Sequence, residues 1–145
     1  MTMSTGANRV DREAVLLELA AAYQRRELDV FEAAVRPDMT LTLAGESRLA
    51  GTYVGYDAFG GYLEVLRRLM RSAGKPIVFT HDSAAQMTFR QIMVVSNDQH
   101  DAEIPLTVTV RYESDGKIAS FLVQPEDQAF FDHLVDTSLP VEMYI

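Results

Sequence analysis

The stretch from Leu28 to Asp57 constrains the fold most, because it switches backbone type repeatedly within a short span. Asp29 to Val35 has the spacing of a short helix. Pro37 ends it, since proline disfavours helical geometry at the residue before it. Met39-Thr40-Leu41-Thr42-Leu43 then alternates apolar and polar, the period of a half-buried strand. Gly45 turns the chain, Leu49 to Tyr53 adds a short strand, and Gly55 with the cap candidate Asp57 opens a new helix. Helix, stop, strand, glycine turn and helix in that order predict a helix-lined pocket on a curved sheet.

The rest of the chain completes the pattern. Residues 1–8 read as a disordered tail and 9–145 as one domain, the size a 145-residue chain normally forms. Asp11 is the cap candidate for a first helix that runs to Arg26, with a broad apolar stripe through Leu16, Leu19 and Tyr23. The third helix runs to about Ser72, with Gly74 and Pro76 as stop signals and Phe59, Tyr62, Leu63, Leu66, Leu69 and Met70 on its apolar face. Strands are predicted at Ile77–Ser83, Gln86–Ser96, Ile104–Glu113 and Lys117–Gln124. A polar loop spans Asn97–Asp101, a tight hairpin Ser114-Asp115-Gly116, and a short helix starts at Pro125-Glu126-Asp127. Helices first and hairpin-linked strands later make an α+β fold.

Charge and composition exclude several functions. The net charge is −8, from 21 acidic and 13 basic residues, so the counterion-displacing footprint of a nucleic-acid binder is missing. Arg25-Arg26 and Arg67-Arg68 with Arg71 read as solvated helix faces. The acidic balance repels anionic membranes, and no apolar run is long enough to span one. Without cysteine there is no disulfide, thiolate nucleophile or Cys-based metal site, which fits a cytoplasmic protein. The three histidines lack metal-ligand spacing, and no glycine-rich phosphate loop or Gly-x-Ser-x-Gly elbow occurs. Neither a metal nor an organic cofactor is expected.

The two-helix start ending in Arg36-Pro37-Asp38, with Gly51 and Gly55 ahead of a helix, resembles the nuclear transport factor 2-like superfamily over roughly residues 10–135. That superfamily includes ketosteroid isomerases, polyketide cyclases, scytalone dehydratase, limonene epoxide hydrolase and many non-enzymes. The resemblance implies a curved antiparallel sheet wrapped around N-terminal helices, a cone with an apolar pocket. It implies no single function, because one fold hosts many. Ketosteroid isomerases use a carboxylate base, a tyrosine and a neutral aspartic acid. Here those positions fall on Leu43 (or Thr42), near Leu19 and near Val108, and none of these can carry that chemistry.

What remains is an apolar wall and a few polar groups. Strand parity turns Leu41, Leu43, Leu106, Val108 and Val110 inward, with Phe59, Tyr62 and Leu66 closing the cone from above. They are either the lining of a site for a small apolar molecule or ordinary core. His81 is the acid–base candidate and Tyr23 the hydrogen-bond donor to developing oxyanion charge. His81 and Asp82 are strand neighbours, so only a bulge between them lets both line one pocket. Arg90 and Arg111 could grip a carboxylate or, with Thr88 and Thr109, mark the outer sheet face as a homodimer interface. His100 and His133 are expected to face solvent. Two functions follow: a cofactor-independent cyclase, isomerase or dehydratase acting on an apolar cyclic substrate, or a non-catalytic ligand-binding or dimerisation module.

Overall fold

A computed structural model describes residues 9–25, 27, 29–69, 78–83, 85–96 and 101–138. The elements follow as α1 (Arg9–Arg25), α2 (Asp29–Ala34), β1 (Val35–Leu43), β2 (Gly51–Val54), α3 (Tyr56–Leu69), β3 (Val78–Asp82), β4 (Gln86–Ser96), β5 (Asp101–Tyr112), β6 (Ile118–Pro125) and α4 (Gln128–Ser138). The strands form one curved, unclosed sheet in the order β2-β1-β6-β5-β4-β3. Every pairing is antiparallel except β1 with β6, which run parallel, with α3 and four strands intervening between them.

Side-chain alternation gives the sheet one apolar face. Two cross-strand rows define it, Leu41–Phe121–Val110–Met87 and Leu43–Val123–Val108–Phe89, and all eight residues are buried. The other face carries Gln86, Thr88, Arg90, Thr107, Thr109 and Arg111, all at least partly exposed. The aromatic residue Phe59 of α3 lands on the apolar face, stacked on Phe121 at 5.5 Å and tilted against Phe31 of α2 at 5.2 Å. Tyr62, one turn later, meets Tyr53 of β2 at 5.3 Å. From α4, Phe131, Leu134 and Val135 complete the core.

Several boundaries differ from expectation for local reasons. Val35 and Pro37 lie inside β1 rather than at a helix end. The β1–β6 register shifts between Val35 and Thr40, so Pro37 falls where no ladder N–H is required. α1 starts at Arg9, which puts Asp11 in its first turn and not at the cap. Asp101 opens β5, since β4 and β5 stay paired from Gln86↔Arg111 to Ser96↔Asp101. Pro125 closes β6, and Asp127 caps α4 by accepting the Phe130 N–H at 3.1 Å. Gly55 starts α3 as expected: its φ of 90° is a conformation that only glycine takes freely, and its N–H donates to the Met39 carbonyl at 2.8 Å. The expected end of α3 near Ser72, its stop signals, the 1–8 tail and most of the Asn97–Asp101 loop lie outside the described residues.

Candidate functional site

Seven of the residues expected to line a pocket are brought together by the fold. Leu41, Leu43, Leu106, Val108 and Val110 share the apolar face, with Phe59 and Tyr62 above, and each is less than a tenth exposed. The Leu66 side chain lies outside what the structure describes. Leu43, Leu19 and Val108, at or near which the proton-transfer groups of a ketosteroid isomerase are expected to fall, are buried among other apolar side chains. Thr42 is on the opposite side of β1, within 3.0 Å of the Thr52 hydroxyl.

The two ends of this apolar face differ. At one end lie Leu43, Val123 and Leu106, beneath the 44–50 loop and α4. At the other, β1 and β6 meet at Val35↔Ile118, and Tyr112 extends the inward row of Val108 and Val110. That end opens into a groove of about 610 Å³, walled by Ala14, Val15 and Leu19 of α1, Val30, Ala33 and Ala34 of α2, and Ile118. Small-molecule pockets typically measure about 300–1,000 Å³, so the groove has room for a ligand of ordinary size.

Arg12 gives the groove its polar anchor. It shares the buried stripe of α1 with Leu16 and Leu19 at helical spacing and is only 7% exposed. Its Nη1 donates to the Ser83 carbonyl at 2.7 Å, and its guanidinium lies 4.3 Å from the Tyr112 ring centroid. The same edge is tied by the Tyr112 N–H donating to the Ala85 carbonyl at 2.9 Å. Arg12 therefore pins α1 to the β3–β4 turn and the end of β5, which holds the groove open as a defined shape.

The rim is charged, and each of its two arginines is shared by two carboxylates. Glu18 accepts from Arg25 at 3.1 Å, and Asp115 accepts from Arg36 at 3.3 Å and from the Lys117 backbone N–H at 2.9 Å. Arg25 and Arg36 have their pKa raised, chiefly by side-chain hydrogen bonds to Glu27 and Asp38 respectively. A smaller cleft of about 280 Å³ adjoins Lys117 and is lined by Glu32, Val35, Arg36, Pro37 and Tyr56. Burial, then the nearby Glu32, Asp29 and Asp57 carboxylates, pushes the Tyr56 phenol up, so it stays protonated and serves as a hydrogen-bonding group only. Burial alone does the same to Tyr53, whose hydroxyl donates to the Leu49 carbonyl.

The polar candidates from the sequence are placed by backbone. His81 pairs with Thr88 and Asp82 with Met87, and the register shift falls before the pair rather than between its members. Tyr23 sits in the last turns of α1. The side chains of both His81 and Tyr23 lie outside what the structure describes, as does His100. His133 is exposed on α4. Among the described residues no group of three or more His, Asp or Glu is arranged to hold a metal ion. Arg12, Tyr112 and Lys117 were not singled out from the sequence. Tyr112 was within reach as the next inward position after Val110, and Arg12 as a charge in an apolar stripe. Lys117 gave no signal, because only the folded hairpin brings it to the helices.

No protein-family model and no curated protein sequence matches the chain. Solved structures do. A protein of unknown function from Burkholderia pseudomallei, described as nuclear transport factor 2-like, superimposes with a TM-score of 0.71 at 20% identity, covering 85% of this chain and 95% of that one. The fold is nuclear transport factor 2-like. A candidate SnoaL-like polyketide cyclase from Jannaschia has the same nuclear transport factor 2-like architecture, with a TM-score of 0.70, 10% identity, and coverage of 97% and 100%. A Mycobacterium tuberculosis protein solved in complex with estradiol-17β-hemisuccinate matches at 0.60 with 14% identity, covering 76% and 89%. At these identities the likeness concerns the fold alone. No described helix is long and apolar enough to cross a membrane.

Proposed function

We propose that the protein binds a small, largely apolar molecule in the groove between α1, α2 and the β5–β6 hairpin. The observation that carries this reading is the wall itself: seven apolar residues around about 610 Å³, at the open end of a continuous apolar sheet face. Leu41, Leu43, Leu106, Val108 and Val110, with Phe59 and Tyr62, form the deeper apolar wall toward which the ligand points. Calorimetric titration with decanol tests the reading. Binding by the wild type and at least about tenfold weaker binding by Ala33→Trp, which fills the groove from an exposed position, are expected. Equal binding by both proteins, or none by the wild type, contradicts it.

The catalytic version uses His81 as proton shuttle and Tyr23 as oxyanion donor on an apolar cyclic substrate, without a cofactor. It is supported by the Arg12–Ser83 hydrogen bond, which ties the groove helix to the end of the strand that bears His81. Cyclic ketones and esters screened by mass spectrometry would show conversion that His81→Gln removes without weakening binding. No conversion by the wild type counts against it and leaves a binding protein.

A homodimer through the outer sheet face is a further part of this proposal, supported by the Thr88, Arg90, Thr109 and Arg111 surface opposite the core. Light scattering that gives a monomer mass at micromolar concentration would contradict it.

A further inference from the structure

Resting on the groove as the binding site, we infer that its ligand is an apolar molecule that ends in a single carboxylate, received by Lys117. The charges around the groove lead to this assignment by subtraction. Glu18 is engaged by Arg25, and Asp115 by Arg36 and the Lys117 backbone. Arg12 is committed to the Ser83 carbonyl and the Tyr112 ring. The Lys117 ammonium makes no ion pair among the described residues, yet it lines both the groove and the adjoining cleft.

The cleft side presents Glu32, whose carboxylate repels an anion, and Arg36, which is already held by Asp38 and Asp115, so the groove side is where an anion meets Lys117. The chain as a whole carries −8 and does not draw anions. Attraction is therefore local and short-ranged, and it adds to burial of an apolar tail along Val15, Val30 and Ile118. One mobile ammonium suits a monoanion. A phosphate, with more charge and more acceptors, calls for several donors.

Calorimetry with decanoate and decanol at pH 7.5 separates the terms, because the two share a tail. Wild-type protein is expected to prefer decanoate by about fivefold, the scale of a partly exposed ion pair. Lys117→Met should erase the preference, Lys117→Arg should keep it, and 0.5 M salt should shrink it. Equal affinity for the two probes, or a preference that survives in Lys117→Met, overturns the carboxylate assignment. If Ala33→Trp still blocks both probes in that case, the groove reading stands. Failure of both probes to bind, or binding that Ala33→Trp leaves intact, sinks the groove reading and this inference together.

Discussion

The two ends of the sheet's apolar face are finished by opposite chemistry. At the closed end, α4 clamps the 44–50 loop through a set of directed hydrogen bonds. Asp132 accepts the Glu46 N–H at 2.9 Å, Asp136 accepts the Arg48 N–H at 2.8 Å, and Gln128 donates to the Ala44 carbonyl at 3.0 Å. Beneath them Leu49, Phe131, Leu134 and Val135 are packed without exposure to solvent worth noting. At the open end a single arginine spans the structure and leaves an apolar groove beside it. A sealed end made of many small polar latches over dense packing supplies stability. An end held apart by one buried cation supplies space.

Substitutions that break the closed end should cost most. Phe131→Ala removes a ring that is 1% exposed and should destabilise by about 3–5 kcal/mol in denaturant unfolding. Gly45→Ala should cost roughly 1–3 kcal/mol. Its φ is 116°, and an added Cβ would collide with the Gln128 and Asp132 side chains. Asp132→Ala should cost about 1 kcal/mol by releasing the loop amide and Gln128. The contrast sharpens at the open end, where Val15→Ala should change stability by less than about 0.5 kcal/mol, because Val15 is 41% exposed. A large loss there would show that the groove is closed in solution.

The smallest expected effect lies on the outer face of the sheet. Arg90 donates to Glu126 at 2.6 Å, which lowers the Glu126 pKa chiefly through that hydrogen bond. A carboxyl whose folded pKa is depressed contributes stability above its unfolded pKa and loses it as pH falls through the folded value. Wild type should therefore melt slightly above Glu126→Gln near neutrality, and the two should converge as pH drops through the lowered Glu126 pKa. Both side chains are well exposed, so the gap stays small. A gap that widens in acid would contradict the ion pair.

The elements were legible wherever period alone decides. Gln86 to Arg90 alternates polar and apolar, and β4 has the expected Gln86–Ser96 bounds. Gly55 announced α3 because only its backbone freedom fits the turn. Pro37 marked the end of α2 to within a residue, but the bulge that admits it in β1 depends on pairing with β6 some eighty residues later. The candidate site was hidden for the same reason. Arg12 and Tyr112 are a hundred residues apart and become neighbours only when the sheet curls α1 over the end of β5. Hydrophobic pattern shows which face is buried, and it does not show at which end the burial stops.

Methyl NMR with decanol tests the central claim most directly. The open end predicts the largest shifts at Val15, Val30 and Ile118, with Leu134 and Val135 at the closed end unmoved. Shifts centred on Leu134 and Val135, or spread evenly over the core, would contradict it.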